Sequence, residues 1–314
     1  MSAPNSLRFG RLPNDPTRPR VRLTARPVGY SPPASVNLYS RVPAESWGMD
    51  GNDNAGDCTL AEVDHTTKAT EVAAGNPEVE SSADEVLAAY SAITGYDPAD
   101  PSTDQGAEMQ VVRAWWRKHG VTLGGQKHTI ALFAQINHRD LSLVKWACDQ
   151  FGPVGLGIDF PASAMDQFNA GQPWDVVAGS PIEDGHAISM VGYDQDWVYV
   201  LTWGQVQLMS WAFFRAYVEE AWTQLDEEWV NKVSGTDPLA GTLYDLGQQF
   251  EQVTGQRNPF PAPAPDPQPA PPGAATFQVV LPDHVAALAR EDAVRAGMTI
   301  ERWIAHQVAK AVRR

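Results

Sequence analysis

The apolar positions in the first half of the chain recur with helical spacing. Residues from Cys58 to about Ala74 read CTLAEVDHTTKATEVAA and predict a helix, which the turn-forming segment GNDNAGD precedes. Further helices are predicted over residues 82–94 and 107–119, and Gly120 supplies the stop signal of the second. The thiol of Cys58 is therefore expected near a helix N-terminus.

The second half of the chain changes to short apolar runs bounded by turns, which are typical of β-strands. These runs are residues 154–160, 186–193 and 197–203. A helix capped by Ser210 is predicted after them over residues 210–222, and another over 242–253. This order indicates an α+β domain, with a helical half followed by a β half.

Pro-rich segments divide the chain into four parts. Residues 1–35 are rich in Pro and Arg, show no period and predict an extended basic arm. The body follows over residues 36–257. Residues 258–275 (NPFPAPAPDPQPAPPGAA) predict a linker, because proline favours extended geometry over a packed core. Residues 276–314 then form a separate C-terminal module.

The C-terminal module combines one alternating segment with two helical ones. TFQVVLP predicts a strand, DHVAALAREDAVRA a helix, and TIERWIAHQVAKAVRR a second helix capped by Thr299. This β-α-α order resembles the ribbon-helix-helix fold, whose single copy cannot bury its strand, so the resemblance implies a homodimer. The outward strand side chains, Thr276, Gln278 and Val280, include no basic residue. We therefore expect dimerisation or docking, and not DNA binding, from this module.

The composition indicates where the protein is expected in the cell and which cofactors it is not expected to bind. The 314 residues contain no apolar run of about 18 or more, and the N-terminus lacks the apolar stretch of a signal peptide. We therefore expect a cytoplasmic protein that does not cross a membrane. The two cysteines cannot build a disulfide framework or a zinc cage unaided, and the seven histidines are scattered. No metal and no other cofactor is expected.

The net charge of −15 is unevenly distributed. The arm has six arginines against one acidic residue, so the body carries the negative charge. An acidic body repels nucleic acid through most of its surface. The basic arm has two possible docking sites, an acidic assembly partner or the body itself.

Cys58 is the candidate nucleophile. A thiol attacks a carbonyl as the thiolate, which a helix N-terminus and a neighbouring imidazolium stabilise. Cys148 has apolar neighbours and no preceding turn, and we assign it to the core. The stretch NDNAGDCTLA resembles the nucleophile segment of papain-like cysteine peptidases, in which a side-chain amide six residues before the cysteine helps to form the oxyanion hole. The resemblance gives this role to Asn52, with Asn54 as the fallback, and turn formation is the structural alternative for both.

The resemblance continues in the second half. Residues 144–171 resemble the helix, Gly-Pro-Val strand and loop of the papain-like family, and GHAISMVGYD resembles the strand with the catalytic histidine. His186 is then the expected base. In the family an Asn followed by Ser-Trp-Gly orients the imidazole. Matching the Trp-Gly pair places Leu201 at that position, whereas counting from His186 places Thr202 there. Thr202 either accepts the imidazole N–H beneath Trp203 or is an ordinary strand residue.

The resemblance covers roughly residues 36–210 and implies a papain-like two-lobe fold, a helical lobe and then an antiparallel β lobe. It implies a cysteine hydrolase, most simply a peptidase acting on a peptide or protein through Cys58, His186 and an acyl-enzyme. The chain resembles sequences of actinobacteria and their phages, and this resemblance suggests such an origin. The altered orienting position keeps a second interpretation open, a catalytically weak or inactive papain-like scaffold in a larger particle such as a phage virion.

Overall fold

The computed structural model describes residues 7–26, 30–263, 283–296 and 298–312. The described helices are α1 (Cys58–Ala73), α2 (Ala83–Thr94), α3 (Met109–His119), α4 (Leu141–Phe151), α5 (Ala162–Asn169), α6 (Trp211–Tyr217), α7 (Leu243–Thr254), α8 (Asp283–Arg295) and α9 (Ile300–Val312). The described strands are β1 (Arg11–Leu12), β2 (Arg22–Leu23), β3 (Val36–Asn37), β4 (Ala107–Glu108), β5 (Val121–Leu123), β6 (Gln126–His128), β7 (Ile130–Ile136), β8 (Val154–Pro161), β9 (Ile182–Tyr193), β10 (Trp197–Thr202), β11 (Gln205–Ser210) and β12 (Val218–Asp226).

Local sequence signals set the limits of the helices in the first half. Helix α2 begins with a capping box between Ser82 and Glu85 and ends at Gly95, which has a φ of 81°. Helix α3 ends at Gly120, which has a φ of 76°. The three helices predicted between residues 58 and 119 are confirmed, and α1 begins at Cys58 as expected.

The second half is built on one large sheet with the strand order β11-β10-β9-β8-β12-β7-β2, and β3 pairs with β9. Its pairs are antiparallel except that β2 of the arm runs parallel to β7. Strand β9 lies between β8 and β10, where Leu156 is opposite Ile188 and Leu201 is opposite Ser189. This register fixes the side chains that β9 presents to the helical half.

Two apolar cores meet at the boundary between the halves. One core lies among α1, α2 and α3 and includes Val86 and Trp116. The larger core lies on the sheet and includes Trp146 and Phe213. Between them is a small cluster of Cys58, Met109, Ala187 and Trp222. The candidate nucleophile therefore lies at the interface of the two lobes.

The predicted helix over residues 210–222 is wrong in its second part. Helix α6 ends at Tyr217, and the chain continues as β12, which pairs with both β7 and β8. All residues of β12 except Glu219 are buried. A strand that is covered on both faces does not alternate between apolar and polar residues. The apolar residues of β12 therefore matched the helical spacing that begins with Trp211 and Phe214, and the sequence predicted a longer helix.

The C-terminal module is described only over its helices. The predicted helices appear as α8 and α9, and the backbone N–H of Arg302 donates to the Thr299 side chain at 3.4 Å. The predicted strand over 276–282 and most of the linker, residues 264–275, lie outside the described residues, so the ribbon-helix-helix resemblance stays a prediction. Among the helices that are described, none is both long enough and apolar enough to span a membrane.

Candidate active site

Cys58 is the first residue of α1 and follows a tight turn, most of which is buried. Asp50 and Gly51 have φ angles of 56° and 96°, which reverse the chain before the helix. The Asn52 side chain donates to the Ala55 carbonyl at 3.0 Å within this turn. The turn fixes Cys58 at the N-terminus of a 16-residue helix, where the helix dipole favours a thiolate.

A hydrogen-bond network connects this turn to the loop before β4. Asp104 accepts from the Gly56 backbone N–H at 2.7 Å and from the Tyr90 hydroxyl at 2.6 Å. The Tyr90 hydroxyl in turn accepts from the Gly106 N–H at 2.9 Å. These bonds hold together two backbone segments that line one side of the cleft between the two lobes.

Strand β9 places Ala187, the residue after His186, against Cys58. The backbone N–H of Ala187 donates to Cys58 Sγ at 3.4 Å. His186 Nε2 lies 2.7 Å from Thr202 Oγ1, and the Trp203 indole stacks on the imidazole at a centroid distance of 4.3 Å. His186 Nδ1 is buried and has no hydrogen-bond partner among the described residues. With its proton on Nε2 toward Thr202, the ring keeps a free lone pair on Nδ1 and has the form of a general base.

The structure separates the two residues considered for the orienting position. Thr202 faces His186, whereas Leu201 packs with Val42 and Trp47 in a separate apolar cluster. Successive residues of a strand point to opposite faces of the sheet, so Leu201 cannot reach the imidazole when Thr202 does. Of the two alternatives, Thr202 is the residue beside the ring.

The two asparagines considered for the oxyanion hole lie in different environments. Asn52 is 1% exposed, and one of its amide protons is used by the bond to Ala55. Asn54 is exposed and donates to Asp53 at 2.9 Å. The oxyanion role of Asn52 stays a prediction, because its described hydrogen bond belongs to the turn.

Burial determines the protonation of the candidate pair. Cys58 and His186 are each 1% exposed. Burial raises the pKa of Cys58 to about 12, although the Ala187 N–H lowers it in part. Burial lowers the pKa of His186 to about 3, and the positive charge of Arg11 lowers it further. While they are buried in this way, the Cys58 thiol and the His186 imidazole are both neutral near pH 7.

The N-terminal arm lies across the cleft between the lobes. Arg8 donates its backbone N–H to the Asn52 carbonyl at 2.9 Å, and Gly10 donates to the Gly185 carbonyl at 3.3 Å. The Gly10 carbonyl accepts from the Ala107 N–H at 2.8 Å, where β1 pairs with β4. The arm therefore bonds to backbone segments of both lobes and covers the thiol.

Two arm residues fit closely against the site. The Phe9 ring centroid is 5.7 Å from that of His186 and 5.9 Å from that of Trp203. Gly10 lies against Gly56, and a Cβ added at Gly10 would be 1.8 Å from the Gly56 carbonyl oxygen. Any larger residue at Gly10 would have to move out of the cleft.

No protein-family model matches the chain, and no curated protein matches its sequence. Solved structures do match. Xylellain, a cysteine protease from Xylella fastidiosa, superposes with a TM-score of 0.54 and 16% identity, over 71% of this chain and 98% of that chain. Procathepsin L2 from the larval midgut of Tenebrio molitor gives a TM-score of 0.51 and 14% identity, over 71% and 80%. ProCathepsin B S9 from Trypanosoma congolense gives 0.50 and 12%, over 70% and 87%.

The fold is papain-like. The expected α+β fold, with a helical lobe followed by an antiparallel β lobe, is confirmed. At these identities the likeness establishes the fold and leaves the activity to the chemistry of the site. Within this papain-like fold, the hydroxyl of Thr202 lies beside the His186 imidazole.

The sequence did not identify the arm as part of this papain-like cleft. Its positive charge predicted docking either on a partner or on the body, and the described arm docks on the body. Arg11 forms ion pairs with Asp159 and Glu220. Glu220 lies in the segment that was predicted to be helical, so its position in the cleft could not be derived. The signal that was present is the contrast between a basic arm and an acidic body.

Two clusters outside the Cys58 site bring histidine and carboxylate atoms within reach of one metal ion. They are Asp50 with Asp64 and His65, and Glu71 with His128 and Glu228. Each carboxylate of both clusters pairs with a lysine or with the histidine of its own cluster. Lys68 lies 3.5 Å from Asp64, and Lys232 lies 2.7 Å from Glu71. The charges of these clusters therefore do not require a metal ion.

Proposed function

We propose that the chain is a papain-like cysteine hydrolase, most simply a peptidase, which is latent while its arm fills the cleft. The observation that carries the proposal is the position of His186, whose ring contacts Thr202 and Trp203 and whose neighbour in the strand, Ala187, contacts Cys58 Sγ at the helix N-terminus. A thiol, a base with a free nitrogen and a group that orients the base are what nucleophilic acyl transfer requires.

In the proposed reaction, His186 Nδ1 takes the proton of the Cys58 thiol, and the thiolate attacks the carbonyl carbon of a peptide bond. The oxyanion accepts hydrogen bonds from the Cys58 backbone N–H and from the Asn52 amide. His186 then gives its proton to the leaving amine, and the acyl group remains as a thioester. Water that has lost a proton to His186 hydrolyses the thioester and restores the thiol. Thr202 holds the ring in place through Nε2.

The direction of the arm explains why it blocks the cleft without being a substrate. A productive peptide places its leaving amine beside His186, so the residues after the cleaved bond lie on that side of Cys58. In the arm, the earlier residue Phe9 lies beside His186, and the later residue Leu12 pairs with Glu108 on β4. The arm therefore runs opposite to a productive peptide.

A single substitution in the full-length chain tests this proposal. Gly10→Val displaces the arm, because no side chain fits between Gly10 and Gly56. We expect Gly10→Val to hydrolyse a fluorescently quenched casein faster than the wild-type chain, and the double variant with Cys58→Ser to have no activity. Leu12→Ala is the matched control, since this arm side chain is 42% exposed.

The same closed cleft favours a second candidate function, a scaffold with little or no catalysis. Here the arm is a permanent part of the fold, and the chain serves in assembly, in the cytoplasm or in a larger particle such as a virion. Gly10→Val distinguishes the two functions. If trypsin cleaves the displaced arm at Arg11 and no hydrolysis of casein follows, the scaffold is the better description.

The C-terminal module provides the proposed homodimer contact. Helices α8 and α9 form an apolar groove that is lined by Leu288, Ala289, Trp303, Ile304 and Val308. Leu288 is 61% exposed and Val308 is 46% exposed. We propose that a second copy covers these side chains, as the ribbon-helix-helix resemblance implies.

A further inference from the structure

The cleft contains a pocket beside Cys58 that holds a guanidinium group. The side chain of Arg11 is buried in it, with 4% exposed. Its Nη1 atom lies 3.0 Å from Glu220 Oε1, and its Nη2 atom lies 2.6 Å from Asp159 Oδ1. Nη2 also lies 3.3 Å from the Ile158 carbonyl oxygen. Three acceptors thus converge on one cation.

Glu220 is fixed in this pocket independently of Arg11. Its side chain is 2% exposed, and its Oε2 atom accepts from the Trp222 indole N–H at 2.6 Å. A buried carboxylate is costly when it has no cation nearby. When the arm leaves, Glu220 loses its partner, so the open pocket favours another positive side chain in the same place.

Two glycines leave the space that the guanidinium and its chain occupy. A Cβ added at Gly157 would lie 2.6 Å from Arg11 Cδ and 2.5 Å from Glu220 Cγ. A Cβ added at Gly185 would lie 2.2 Å from the Arg11 carbonyl oxygen. The pocket is therefore long enough for an extended side chain because these positions have no side chain of their own.

We propose that Glu220 and Asp159 make the cleft selective for peptides that place an arginine or a lysine in this pocket. The proposal rests on the proposed peptidase function and names its substrate class. Arg11 occupies the pocket as the basic side chain of a substrate would, although the arm runs in the opposite direction.

The pocket belongs to the acyl part of the substrate. Phe9 marks the side of His186, where the leaving amine departs, and β1 places Arg11 beyond the thiol on the side of β4. The basic residue is therefore expected before the cleaved bond. A substrate with an apolar residue there would leave Glu220 buried and unpaired. This cost disfavours the wrong substrate more strongly than the loss of an apolar contact would.

The test uses full-length Gly10→Val and peptides that differ at one residue before the cleaved bond. The residues compared are arginine and citrulline, which have nearly the same shape but differ in charge. We expect kcat/KM to be about 50-fold higher for the arginine peptide, since a charge-assisted hydrogen bond has about this effect. Glu220→Gln should remove most of the difference, and Asp159→Asn, whose carboxylate is 44% exposed, should remove less. Glu219→Gln is the matched control, because Glu219 is the exposed neighbour on the same strand.

Binding of the same peptides to Gly10→Val with Cys58→Ser, followed by fluorescence anisotropy, separates this proposal from the proposed function. Equal turnover of the two peptides, or a difference that survives Glu220→Gln, would overturn the pocket assignment and leave the peptidase intact. Arginine-selective binding without turnover of any peptide by Gly10→Val would support the pocket and count against the peptidase. Absence of both turnover and selective binding would overturn both.

Discussion

Displacement of the arm should change the chemistry of Cys58 as well as access to it. The perturbation is Gly10→Val, whose side chain cannot fit against the Gly56 carbonyl oxygen. We expect the segment around Gly10 to detach while β2, the later part of the arm, stays paired with β7. Detachment exposes Cys58, and the thiol then loses the burial that raises its pKa to about 12.

The magnitude follows from the fraction of thiolate. A thiol with a pKa of about 12 is ionised at pH 7 to roughly one part in 100,000, whereas one near the ordinary value of 9.0 is ionised to roughly one part in 100. Since the thiolate is the reactive form, alkylation of Cys58 should become about 1,000-fold faster. The helix N-terminus and His186 act in the same direction.

The assay is alkylation by iodoacetamide at pH 7, with the Cys58 peptide quantified by mass spectrometry over time. Cys148 is an internal control, because it is fully buried in the sheet core and its pKa is also raised by burial. Its rate should not change. Leu12→Ala should react as the wild-type chain does. If trypsin finds Arg11 accessible in Gly10→Val and the rate at Cys58 is unchanged, then the arm is not what suppresses the thiol.

Two further predictions concern the orienting residue and the C-terminal module. In the Gly10→Val chain, Thr202→Val should lower the acylation rate constant about tenfold, which is the effect of one neutral hydrogen bond. The control Thr223→Val, which removes a buried hydroxyl that has no partner among the described residues, should not lower it. A burst-phase measurement compares the two, and equal rates would remove Thr202 from the mechanism. Light scattering at micromolar concentration should find a dimer for the full-length chain and a monomer for Leu288→Glu, and a monomeric wild-type chain would refute the dimer.

The helical lobe was predictable because its signals are local. The capping box of Ser82 and Glu85 and the left-handed Gly95 set the limits of α2 within a few residues of sequence. The start of α1 at Cys58 likewise follows from the turn before it. Such signals act over one or two helical turns, so they are readable without knowledge of the rest of the fold.

The β lobe was predictable only where strands alternate or are bounded by turns. Strand β12 lies between β7 and β8, is buried on both faces and therefore has no period of two. The choice between Leu201 and Thr202 depended in the same way on register, since a shift of one residue exchanges the two faces. The pairing of Leu201 with Ser189 determines which of the two faces His186, and that pairing is a property of the folded sheet.

The acidic pocket was beyond prediction because its parts are distant in sequence. Arg11 is separated from Asp159 by 148 residues and from Glu220 by 209. Charge indicated that a basic arm can dock on an acidic body, but the long-range part of this attraction does not select particular carboxylates. Their selection depends on the space that Gly157 leaves and on the hydrogen bond from Trp222, which only the assembled sheet provides.

The arm controls the candidate pair by two effects that act together. The arm buries the site, and burial favours the neutral thiol and the neutral imidazole because a thiolate and an imidazolium both require solvation. The positive charge of Arg11 lowers the pKa of both Cys58 and His186. For His186 this charge adds to the effect of burial, whereas for Cys58 it opposes the effect of burial. Departure of the arm removes the larger effect, burial, from both groups at once, which lowers the pKa of the thiol and raises that of the imidazole. Opening the cleft therefore moves the pair toward the ionised form that acyl transfer uses.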